Sequence, residues 1–198
     1  ENKLSMVRSD YQQLLNSIGT VIDINELAIL TEVAGRIDDA GDSLESLRGA
    51  ARNESLKDVA WRAAYVMWRS ESALDWMKII SSVGKPGISV KLDDIREAAS
   101  VLIYYARTSA SYIESLTGFV EASSILQLVG KAEDYLDTDI FKALALATRL
   151  MAQVTSALDS AFTKNASIIA DVLRNESLIA AVTCDKRGFT PSAALAYI

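Results

Sequence analysis

The sequence predicts an all-α protein: an elongated bundle of about four long antiparallel helices plus shorter helices. Three observations predict it. Apolar residues recur at three- and four-residue spacing through most of the chain. Only two prolines and nine glycines interrupt 198 residues, half of which are apolar. No segment of five or more residues alternates as a strand would.

The first helix is expected over Lys3–Ile22, with Val7, Tyr11, Leu14, Ile18 and Val21 as its seam. Asp23 or Asn25 suits the cap of a second helix, Glu26–Ala50, because a short polar side chain can accept an orphan N–H. Its seam is Leu30, Val33, Ile37, Ala40, Leu44 and Leu47. With no proline between them, the two could also form one kinked rod.

All three tryptophans lie in residues 56–83, behind Asn53 as N-cap. At about 100° per residue, Trp61, Tyr65, Trp68, Trp76 and Ile79 fall within roughly 80° of one helix face. Leu56, Val59, Ala63, Val66, Ala73, Leu74, Met77 and Ile80 lie roughly opposite. A helix apolar on two sides is either central in a bundle or turns one face to a partner. Core packing and an interface both account for the aromatic stripe. Tryptophan and tyrosine are enriched at interface hot spots, so these five residues form the candidate interface, flanked by Arg62 and Arg69.

Gly84-Lys85-Pro86-Gly87 reads as a turn. A fourth helix is expected from Ser89 or Leu92 to Leu116, seamed by Leu92, Ile95, Ala99, Leu102, Ala106, Ser109, Ile113 and Leu116. Gly118 suits a left-handed stop. A shorter helix follows over Val120–Leu136. Asp137-Thr138-Asp139 caps a last long helix from Ile140, seamed by Ile140, Leu144, Ala147, Met151, Val154, Leu158 and Ala161 and extending toward Leu173. Residues 1–174 are read as the bundle. Residues 175–198 are read as a C-terminal short-helix appendage, packed on the bundle or on a neighbouring subunit. Arg-Asn-Glu-Ser-Leu occurs at both 52–56 and 174–178, which we read as two similar helix starts.

Composition excludes much chemistry. There is no histidine, which removes Ser-His-Asp and Cys-His catalysis and His-ligated metals. The single cysteine, Cys184, can form neither an internal disulfide nor a thiolate metal site. No phosphate-binding glycine loop is present. No metal, cofactor or catalytic residue is therefore assigned, and the protein is read as non-enzymatic. Two carboxylate groups remain, Asp38, Asp39, Asp42 and Glu45, and Glu133, Asp134, Asp137 and Asp139. The first is expected to be a solvated helix face. The second is expected to supply caps favoured by the helix dipole.

The net charge is −6, and residues 1–50 carry four basic and nine acidic side chains. Without a basic cluster, nucleic acid is not an expected partner. The longest charge-free run, Tyr11–Ile22, falls far short of the ~20 apolar residues of a membrane span. The first residue is Glu1 rather than Met, as in a processed or excised chain. Asn53, Asn165 and Asn175 open N-x-S sequons, making them candidate glycosylation sites and pointing to an extracellular, cell-surface or particle-surface location. The expected function is structural: a helical-bundle subunit that assembles with copies of itself into a surface layer, filament or particle coat. The alternative is an extracytoplasmic ligand-sensing domain of a membrane receptor, with a small molecule between helices near Trp61, Tyr65, Trp68 and Arg69.

Overall fold

The computed structural model describes residues 2–50, 56–80, 82, 87–117, 119–162 and 174. Of these, 88% are helical, in six helices with one tiny two-stranded sheet. The protein is mostly α-helical, as the apolar spacing predicts. The elements run α1 (Asn2–Asn16), β1 (Val21–Asp23), α2 (Ile24–Ala50), α3 (Leu56–Ile79), β2 (Ser89–Lys91), α4 (Leu92–Thr117), α5 (Phe119–Leu136) and α6 (Ile140–Phe162). Its contacts separate into two compact units, residues 1–94 and 95–198.

In the first unit, α2 packs most extensively on α3, and α1 packs against both. The core comes from Leu4, Val7 and Tyr11 of α1, from Leu30, Val33, Ala34, Ile37 and Ala40 of α2, and from Val66 and Ala73 of α3. The expected seams are therefore buried over most of their length. Leu14, Ile18, Leu44 and Leu47 are half-buried.

The end of α1 differs from expectation. The helix stops at Asn16 instead of Ile22, in a tight turn where Ser17 N–H donates to the Leu14 carbonyl at 3.0 Å and Ile18 N–H to the Leu15 carbonyl at 3.1 Å. Val21–Asp23 then pairs antiparallel with Ser89–Lys91, matching Ile22 to Val90. Ile22 is buried and Val21 is exposed, the reverse of the helical seam. The reason is tertiary. Val21 and Ile22 are β-branched and suit a strand as well as a helix, and a partner strand almost seventy residues away settles the choice. The strand also excludes one continuous rod of α1 and α2.

Asp23 closes the start of α2. Its Oδ1 accepts the Asn25 N–H at 2.9 Å, and the Glu26 carboxylate reaches back to the Asp23 N–H at 3.5 Å. This is a capping box with aspartate in the leading position. Gly87, with φ of +78°, occupies the left-handed region just before β2, where a side chain would be strained. Residues 84–86, the rest of that expected turn, lie outside the described residues, as do Asn53, the Gly118 stop and residues 163–173.

The second unit has one buried cluster. Ile103, Ala106, Ala110 and Ile113 of α4 join Ala122, Ile125, Val129 and Ala132 of α5 and Leu146, Ala147, Leu150, Val154 and Leu158 of α6. Polar contacts fix α4 against α5: Arg96 Nε donates to the Leu136 carbonyl at 3.1 Å, and Arg107 pairs with Glu133. Asp139 caps α6 as expected, its Oδ1 accepting the Lys142 N–H at 3.1 Å.

Leu30 and Leu150 are each fully buried. Leu30→Ala and Leu150→Ala should each lower stability by about 2–5 kcal/mol. Loss of the cap in Asp23→Ala should cost about 1 kcal/mol. Urea unfolding reads all three. A neutral Leu→Ala result would mean that the core is placed wrongly in that unit.

Candidate functional site

The site is built on α3. Its buried side is the 4-3-4-3-4 series Val59, Ala63, Val66, Ser70, Ala73 and Met77, in which Val66, Ser70 and Ala73 are buried and the others half-buried. Small side chains at 63, 70 and 73 let the axis of α3 come close to α2. The Ser70 hydroxyl is satisfied within its own helix, donating to the Val66 carbonyl at 2.7 Å.

The aromatic stripe lies outside this seam. Trp61 is 73% exposed, Trp68 55% and Ile79 43%, whereas Tyr65 and Trp76 are half-buried. The gradient follows from helix geometry. At about 100° per residue, Tyr65 and Trp76 sit roughly 50° nearer the buried seam than Trp61 and Ile79 do. They lean on α2, while the others face water. Of the two apolar faces of α3, the non-aromatic one is the core.

Cations fasten the stripe to α2. The Arg69 guanidinium pairs with Asp39 of α2 at 2.5 Å and donates from Nε to the Tyr65 hydroxyl at 3.0 Å. It lies 5.4 Å from the Tyr65 ring centre and 5.0 Å from that of Trp68, within cation–π range. Tyr65 and Trp68 meet at 5.7 Å with their planes tilted by 59°, close to the edge-to-face geometry such pairs favour. One turn on, Arg36 of α2 lies 5.6 Å from the Trp76 ring, donates to Ser72 and pairs with Glu32. One turn back, Arg62 donates to Ser46 of α2. Burial by itself would lower the pKa of Arg69. The Tyr65 hydroxyl bond and the charge of Asp39 outweigh that and raise it above the ordinary arginine value, so Arg69 is a permanent cation.

Between α2 and α3, an open hollow of about 530 Å³ is lined by Ser43, Asp58, Trp61, Arg62 and Tyr65. It joins the N-terminal half of the stripe to the flank facing α2. Asp58 could have been singled out from the sequence by its position three residues before Trp61. Ser43, Ser46 and Arg36 carry no local signal, because their roles depend on how α2 packs.

The first acidic group is corrected by this packing. It is not simply a solvated face: Asp38 is buried, and Asp39 is the counter-ion of Arg69, while Asp42 and Glu45 are exposed. In the second group, Glu133 pairs with Arg107 and Asp139 caps α6. Among the described residues no cluster of three or more carboxylate or thiol groups could hold a metal ion. No helix among them is long and apolar enough to cross a membrane. Asn53, Asn165, Asn175, Cys184 and residues 175–198 lie outside the described residues.

No family model, curated protein or solved structure matches the chain.

Arg69→Ala removes the ion pair to half-buried Asp39 and the bond to the Tyr65 hydroxyl. It should cost about 2 kcal/mol, the scale of a hydrogen-bonded charge, and should alter tryptophan emission through Trp68. Arg69→Lys should recover only part of the loss, because an ammonium cannot reproduce the planar fork on both Asp39 and Tyr65. Denaturant titration followed by fluorescence checks both. Equal stability of Arg69→Ala and wild type would mean that Arg69 does not fasten α3 to α2.

Proposed function

We propose that the protein is a non-enzymatic structural and interaction protein, a helical-bundle subunit that assembles with copies of itself at a cell or particle surface through the aromatic face of α3. The observation that carries this reading is the exposure of Trp61, Trp68 and Ile79 along one face about 27 Å long. Large aromatic side chains left in water forgo about 25 cal/mol per Å² of the stabilisation that burial would bring. Covering the exposed parts of the two indoles would contribute about 300 Å², out of the roughly 800 Å² that each partner buries in a standard interface.

The surrounding chemistry supports the same reading. Tyr65, Trp68 and Arg69 are held in place by one another and by Asp39. A partner therefore meets a surface whose side-chain entropy is already reduced. Tryptophan, tyrosine and arginine are the residue types that dominate interface energetics. With no histidine and one cysteine, imidazole- and thiolate-based catalysis are disfavoured. The acidic first fifty residues disfavour nucleic acid as the partner. The three sequons support a surface location.

Light scattering of wild type and Trp68→Arg tests the proposal. Trp68 is more than half exposed, so the variant should keep its fold. Wild type is expected as an oligomer in the micromolar range, and Trp68→Arg as a folded monomer. A monomeric wild type across that range would overturn the proposal.

A further inference from the structure

We propose that the hollow lined by Ser43, Asp58, Trp61, Arg62 and Tyr65 is a binding site for a neutral saccharide. Its size, about 530 Å³, lies within the range of small-ligand sites. Its described lining suits one class of ligand. Asp58 and Arg62 bring opposite charges to one wall, so an anion meets a carboxylate there and a cation meets a guanidinium. A neutral polyol meets neither repulsion. Each sugar hydroxyl both donates and accepts, and the wall offers both partners: carboxylate oxygens accept, guanidinium N–H groups donate, and the Ser43 hydroxyl does either.

Trp61 supplies the other half of the recognition. A pyranose ring has an apolar face of axial C–H groups and a polar rim of hydroxyls. The indole of Trp61, 73% exposed, is a flat apolar surface on which that face can stack. A compact apolar ligand would instead need enclosure, since drug-like molecules bury most of their surface in their sites. A sugar tolerates an open hollow because its outer hydroxyls remain in water.

The walls are also fixed before any ligand arrives. Arg62 donates to Ser46 of α2. The Tyr65 hydroxyl accepts from Arg69, which Asp39 holds in turn. Such preorganisation lowers the ordering cost of a weak ligand. Occupancy of the hollow does not require self-assembly, but it shares Trp61 with the proposed α3 interface, so a saccharide and a second copy compete for that indole.

The test is ligand-observed NMR with the methyl glycosides of glucose, galactose, mannose and N-acetylglucosamine, and with cellobiose, maltose and chitobiose. Choline and benzoate serve as charged probes. Wild type, Trp68→Arg, Trp61→Ala and Trp61→Tyr are compared. At least one saccharide should bind wild type or Trp68→Arg at millimolar concentration. Trp61→Ala should weaken it tenfold or more while keeping the helical far-UV circular dichroism of wild type, and Trp61→Tyr should restore part of the affinity. Binding to Trp68→Arg but not to wild type also supports the site, because it means that assembly covers the hollow. Three results overturn the proposal: no saccharide binds either protein, Trp61→Ala binds as well as wild type, or only choline or benzoate binds. Light scattering on the same samples reads assembly independently.

Discussion

Close packing of α3 on α2 through small side chains is the constraint on which the first unit depends. Ala63, Ser70 and Ala73 line one side of α3, and Ala34 and Ala40 lie in the buried part of α2. Trp76 is half-buried beside α2, under Arg36, whereas Trp61 and Trp68 are exposed. The same use of small side chains recurs in the second unit, where Ala106, Ala110, Ala122, Ala132 and Ala147 are fully buried among larger aliphatic residues. Alternating small and large side chains bring such helices close while keeping the interior filled.

Electrostatics follow from that packing. The acidic excess of the first fifty residues is concentrated partly on α2, and α3 answers it with arginine. Arg69 neutralises Asp39, and Arg36 and Arg62 bridge the two helices through serine hydroxyls. Arginine suits these places because its planar head can bond a carboxylate or hydroxyl while lying over a ring. One set of side chains thus joins the helices and presents the aromatic surface in a defined geometry. Exposed ion pairs elsewhere, such as Lys78 with Asp75, contribute little by comparison.

The stripe divides into regions with different chemistry. In the assembly we propose, Trp68 and Ile79, with Trp61, offer apolar surface to a second copy. Trp61, with Asp58, Arg62 and Ser43 around the hollow, mixes an apolar plane with both signs of charge and a hydroxyl. The first arrangement rewards exclusion of water over a wide area; the second rewards a small polar molecule with one apolar side.

The sequence by itself determined the helical class, the positions of most helices and most seam residues, because helical periodicity is a local property written every three or four residues. Leu30, Val33 and Ile37, or Ile140, Ala147 and Val154, are buried as their spacing requires. It also singled out the residues of the aromatic stripe. Only the tertiary structure decided that this stripe lies outside the core, since two apolar faces of one helix look alike until a neighbour chooses between them. It likewise decided that Val21–Asp23 is a strand, that Asp38 is buried, and that Ser43 of α2 faces the same hollow as Trp61. Each of these depends on a partner distant in sequence, and a period of three or four residues carries no information about such a partner.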